Sequence, residues 1–109
     1  MEIVAEPLTA EAFAPFGEVI PVPETPGRTY YEEALGNLRP AARPSLSVSL
    51  RPETPDRPLR AEMLERHEFS SQTFMPLDVA RWLVVVAPHA ATGGPDQSAI
   101  RAFVATGRQ

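Results

Sequence analysis

The sequence predicts an all-β domain: a barrel or sandwich of short antiparallel strands, with one short helix near the N-terminus. Three observations predict it. Thirteen prolines among 109 residues cut the chain into pieces too short for long helices. The apolar stretches are brief and either alternate or run through β-branched residues, as at residues 45–51 and 82–87. Turn-forming residues recur between these stretches, which gives roughly seven or eight strands around one core. At this length residues 1–109 form a single domain.

Residues 3–8 read as a short edge strand, because Pro7 has no backbone N–H to give to a ladder. Thr9 is an N-cap for a turn or two of helix through Phe13, ended by Pro15 and Gly17. Residues 18–22 and 28–33 read as further short strands, with Pro21, Pro23, Pro26 and Gly27 forming the turn between them. Residues 36–44 are a loop. In residues 45–51, Leu46, Val48 and Leu50 face one way and the intervening serines the other, the pattern of a half-buried strand. A proline-rich connection fills residues 52–58.

Residues 60–69 fit a helix by propensity and a strand by context. The strand is preferred, since its neighbours are strands and Ser70-Ser71 reads as a turn. Residues 72–77 continue as a strand. Residues 82–87 form an apolar strand expected to be buried on both faces. Residues 90–97 contain the turn Gly93-Gly94-Pro95-Asp96, residues 99–105 form the last strand, and Gly107 opens a turn.

Net charge is −4, and all ten cationic side chains are arginines without a basic cluster, which argues against nucleic acid as a partner. Cysteine is absent, so no disulfide, thiolate metal site or cysteine nucleophile exists in this sequence. The first residues lack a signal peptide's basic start and apolar run. The longest apolar run is too short for a bilayer. A soluble, cytoplasmic protein that does not engage membranes is expected.

The stretch that can carry chemistry is residues 63–76. On a strand Glu65 and His67 point to one face, their Cβ atoms roughly 7 Å apart, while Arg66 points to the other. Gln72, just past a turn, can bring a carbonyl oxygen to the same place. Imidazole, carboxylate and amide oxygen together suit a divalent ion such as Ni, Mn, Zn or Fe. The competing reading is a solvated surface pair. Met63 and Phe69 share the face of Glu65 and His67, and a Glu and a His buried between apolar neighbours need partners. His89 reads as an ordinary exposed histidine, Trp82 as core packing, Asp96 as a turn residue, and Tyr30 and Tyr31 as one buried and one exposed.

Residues 7–20, Pro-Leu-Thr-Ala-Glu-Ala-Phe-Ala-Pro-Phe-Gly-Glu-Val-Ile, resemble the opening of bacterial ureidoglycolate lyases. Met63-Leu64-Glu65-Arg66-His67 and Ser71-Gln72-Thr73-Phe74-Met75-Pro76-Leu77 resemble that family's central signature. Residues 82–88, 100–105 and 107–109 resemble its following segments. The resemblance implies a cupin-like fold, a homodimer, and cleavage of ureidoglycolate to glyoxylate and urea in allantoin and purine breakdown. It also implies that the chain as given to Gln109 lacks the family's C-terminal third, with a further histidine motif, so that the single cupin-like domain of residues 1–109 is incomplete at its C-terminus.

Several cupins bind a metal through His-x-His followed by Glu. Glu65, His67 and Gln72 occupy the comparable spacing, with Gln72 keeping an oxygen donor but giving up its charge. The implied roles are metal ligand or base for Glu65 and His67, and ligand or substrate hydrogen-bond donor for Gln72. The metal would be a divalent ion such as Ni or Mn. Arg66 or Arg101 would hold the substrate carboxylate. Two other readings remain: another cupin enzyme acting on a small hydroxy or keto acid, and a non-catalytic binding module.

Overall fold

A β-hairpin near the C-terminus organises the molecule. A computed structural model describes residues 1–39, 41, 43–48 and 59–106. In chain order its regular elements are β1 (Glu6–Pro7), α1 (Ala10–Phe13), β2 (Arg81–Val86) and β3 (Arg101–Thr106), with 3-10 turns at Glu32–Ala34 and Gln97–Ala99. β2 and β3 pair antiparallel from Arg81↔Thr106 to Val86↔Arg101. β1 adds in parallel on the far side of β3, with Glu6↔Phe103 and Pro7↔Val104, giving the order β1-β3-β2. Pro7 is tolerated because β1 is an edge, and Leu8 N–H donates to the Val104 carbonyl at 2.9 Å.

The hairpin forms where the local sequence is most β-prone, with Trp82 and three consecutive valines on one strand. Its connection is held by its own polar groups. Ala90 N–H donates to the Gly94 carbonyl and Asp96 N–H to the Pro88 carbonyl. Gly93 and Gly94 have φ of 93° and 74°, a region that favours glycine. Asp96 Oδ1 accepts from Ser98 N and Oγ at 3.0 and 2.6 Å, capping the turn that leads into β3.

One face of this sheet carries the core. Strand alternation and the hairpin register put Phe103 and Ala105 beside Trp82, Val84 and Val86. Phe103 and Ala105 are wholly buried, and Leu8 nearly so. Ala12, Phe13, Phe16 and Val19 pack on the same cluster. The Phe13 and Phe16 rings meet Phe103 edge-on, with centroids 5.4 and 6.2 Å away, a favourable aromatic arrangement. α1 is placed for this by its cap: Thr9 Oγ1 accepts from Ala12 N at 3.1 Å.

Several expectations need correction. Instead of seven or eight strands, the described residues contain three. Residues 18–22, 28–31, 60–69 and 72–77 lie in no ladder, and Glu32 and Glu33 belong to a 3-10 turn. Residues 45–48 are likewise unpaired, while residues 49–51 and the connection 52–58 lie outside the described residues, as does the turn at Gly107. A strand needs a partner, and alternation alone supplies none. Leu46, Val48, Met63 and Met75 are accordingly exposed. β2 is not buried on both faces: Leu83, on the face away from Phe103, is 40% exposed. The indole Nε1 of Trp82 is buried without a hydrogen-bond partner in the structure.

Candidate functional site

Residues 59–69 run as irregular backbone, and their contacts alternate along the chain. His67 Nε2 lies 3.8 Å from Glu65 Oε2. The next pair in the alternation is Arg66 with Glu68, where Nη2 and Oε1 are 2.5 Å apart. Arg66 Nη1 also donates to His89 Nδ1 at 3.2 Å. Since an arginine only donates, the His89 proton sits on Nε2 in this contact. His89, which the sequence offered as an ordinary exposed histidine, thus ties the turn after β2 to the segment bearing Glu65 and His67.

A second piece of chain, residues 36–39, builds the wall opposite. Leu38 N–H donates to the Phe69 carbonyl at 2.5 Å and Ser71 N–H to the Gly36 carbonyl at 2.7 Å. Ser71 Oγ accepts from Gly36 N at 2.9 Å, and Asn37 and Ser70 form an isolated antiparallel bridge. The Arg39 guanidinium lies over the Phe69 ring, 4.2 Å from its centroid. Between the two pieces is an open cavity of about 200 Å³, lined by Gly36, Leu38, His67, Glu68, Phe69, Ser70 and Ser71. No sequence periodicity signals this clamp, because its halves are more than thirty residues apart.

A larger cavity, about 400 Å³, is lined by Glu18, Tyr30, Tyr31, Glu32, Glu33 and Ala34. Three carboxylates make it repel anions. Tyr30 is exposed, and Tyr31 is half-buried with its hydroxyl donating to the Pro21 carbonyl at 2.6 Å.

The structure brings Glu65, His67 and Arg66 into one neighbourhood. Gln72 follows Ser71 directly and is exposed. Arg101 is spent elsewhere. Both its Nε and its Nη2 donate to the Glu6 carboxylate, Nη1 donates to the Ala12 carbonyl at 3.1 Å, and its guanidinium lies 5.0 Å from the Phe103 centroid. It fastens β1 and α1 to β3.

Two donors 3.8 Å apart can share an ion, since two bonds of about 2.1 Å reach across that gap. Among the described residues no third His, Cys, Asp or Glu joins them. Imidazole nitrogen and carboxylate oxygen are donors that a divalent ion accepts, and these two supply only part of a coordination shell.

Comparison with known proteins gives the family of the chain. The family model described as ureidoglycolate lyase matches residues 1–109, the whole chain. The chain belongs to the ureidoglycolate lyase family. A ureidoglycolate lyase of Pseudomonas syringae pv. syringae is 39% identical over 120 residues, covering 99% of this chain and 67% of its own length. One from Pseudomonas paraeruginosa is 41% identical over 115 residues, covering 95% and 65%. A relative in Agrobacterium fabrum is 39% identical over 107 residues, covering 98% of this chain and 65% of itself. The chain thus spans about two thirds of the length of these relatives. No solved structure matches it. No helix among the described residues is long and apolar enough to cross a membrane.

Proposed function

We propose that this protein is a lyase that splits ureidoglycolate into glyoxylate and urea, using His67 in the lining of the cavity between residues 36–38 and 67–71 and Glu65 next to it. The observation that carries the reading is that a chain matched end to end by the ureidoglycolate lyase family places an imidazole and a carboxylate 3.8 Å apart beside a small open cavity.

The reaction asks little more of the protein than this. Ureidoglycolate carries a hydroxyl and a ureido nitrogen on the same carbon. The base takes the hydroxyl proton, the oxygen lone pair forms the C=O bond of glyoxylate, and the C–N bond breaks. The departing nitrogen receives a proton, and urea leaves. His67, which lines the cavity, moves the proton, and Glu65 balances the imidazolium that forms; such general acid–base assistance is worth about 10²- to 10⁴-fold. Gln72 offers an amide to the ureido group. Glu65, His67 and Gln72 are also the residues that would hold a divalent ion such as Ni or Mn, which when bound acidifies a coordinated hydroxyl.

The same reading extends to the rest of the family's properties. It takes the full fold as a cupin-like barrel, the assembly as a homodimer, and the compartment as the cytoplasm. The described sheet supports the all-β part of that reading. The test is product analysis. The full chain incubated with ureidoglycolate is expected to release urea and glyoxylate in equal amounts, above spontaneous breakdown. Release of ammonia in place of urea would place the protein among amide hydrolases and overturn the reading.

A further inference from the structure

We infer that Arg39, which the sequence did not single out, is the residue that holds the substrate carboxylate at the cavity beside it. The inference rests on the reading of Glu65 and His67 as the reacting pair.

It starts from the two arginines that the sequence offered for this role. Arg101 gives its donors to Glu6 and the Ala12 carbonyl. Arg66 gives its donors to Glu68 and His89. Among the described residues no carboxylate pairs with Arg39, whose guanidinium contact is the Phe69 ring. Stacking occupies the face of a guanidinium and leaves the N–H donors in its plane, the fork that a carboxylate accepts bidentately.

Position agrees with donor supply. Arg39 follows Leu38 in the chain and stacks on Phe69, and both line the cavity with His67. The loop that carries it is pinned from both sides. Asn37 Oδ1 accepts from Arg39 N at 2.9 Å, and Leu38 N–H donates to the Phe69 carbonyl. The guanidinium is therefore oriented before any ligand arrives. The charges around the cavity agree as well. Glu68, the carboxylate in the cavity lining, is paired with Arg66, while the Arg39 charge has no carboxylate partner among the described residues.

The experiment is binding of glycolate and of its uncharged counterpart glycolamide to the full chain, followed by NMR. Wild type is compared with Arg39→Gln and Arg39→Lys, and urea release from ureidoglycolate is assayed in parallel. The wild type is expected to prefer glycolate. Arg39→Gln should weaken glycolate roughly 10- to 100-fold, the range for a lost charge-assisted pair, with little change for glycolamide. Arg39→Lys, which keeps the charge and loses the fork, should fall between. Backbone amide spectra establish that each variant is folded.

Arg39→Gln binding glycolate as tightly as wild type would overturn the inference while urea release stands. A wild type that does not prefer glycolate to glycolamide would overturn it too. Selective loss of glycolate binding, in a wild type that releases no urea, would uphold Arg39 and remove the lyase reading.

Discussion

The two ends of the chain and its middle are built on different terms. Residues 6–16 and 81–106 make the sheet, the helix and the phenylalanine cluster, and every wholly buried side chain among the described residues is there. Residues 59–77 carry the pair proposed to react and bury almost nothing, with Met63, Phe74, Met75 and Leu77 each more than half exposed. The first region is held by apolar packing, the second by backbone clamps and charge pairs. The difference teaches where each kind of change will register. Damage to the sheet should appear as lost stability, and damage to the middle as lost chemistry with the sheet intact.

The largest effect on stability is expected at Phe103. Truncation to alanine removes the ring that Phe13 and Phe16 pack against and should cost about 3–5 kcal/mol, enough to unfold a marginal domain. Chemical denaturation followed by far-ultraviolet circular dichroism checks this. A loss below about 1 kcal/mol would mean that the sheet is not where the stability resides.

A smaller effect is expected at Arg101. Arg101→Met keeps the apolar stem and loses the contacts to Glu6 and the Ala12 carbonyl. The group is more than a third exposed, so the expected cost is about 1–2 kcal/mol, between an exposed ion pair and a hydrogen bond to a buried charge. Hydrogen exchange should quicken in β1 and α1 before β2. Uniform quickening would deny Arg101 its fastening role.

Ser71→Ala should register least in global stability, about 0.5–1.5 kcal/mol, yet it removes the side-chain half of the clamp on Gly36. Amide exchange at Leu38 and Ser71 should rise while β3 stays protected. Protection lost equally in both places would merge the two regions into one cooperative unit.

What could be read from the sequence divides along the same line. The Thr9 cap, the brief helix, the turn at Gly93-Gly94 and the hairpin strands were all legible, because their signals lie within a few residues of one another. The contact of Glu65 with His67 was legible for the same reason, as an alternation two residues apart. The expected strands at 18–22, 28–33 and 72–77 failed because propensity names residues that can extend, and only a partner makes a strand. The Arg101–Glu6 contact spans 95 positions, and the clamp of Gly36 on Ser71 spans 35. Nothing local in either partner announces the other, so Arg39 and His89 entered the candidate site only through the structure.

The account's central claim is that chemistry sits on Glu65 and His67 while stability sits on the sheet. The most direct test measures urea release from ureidoglycolate by the full chain, His67→Ala and Glu65→Gln, beside the denaturation midpoint of each. The account predicts that both variants keep the wild-type midpoint while His67→Ala loses about 10²- to 10⁴-fold in rate. A folded His67→Ala variant that releases urea at the wild-type rate would contradict it.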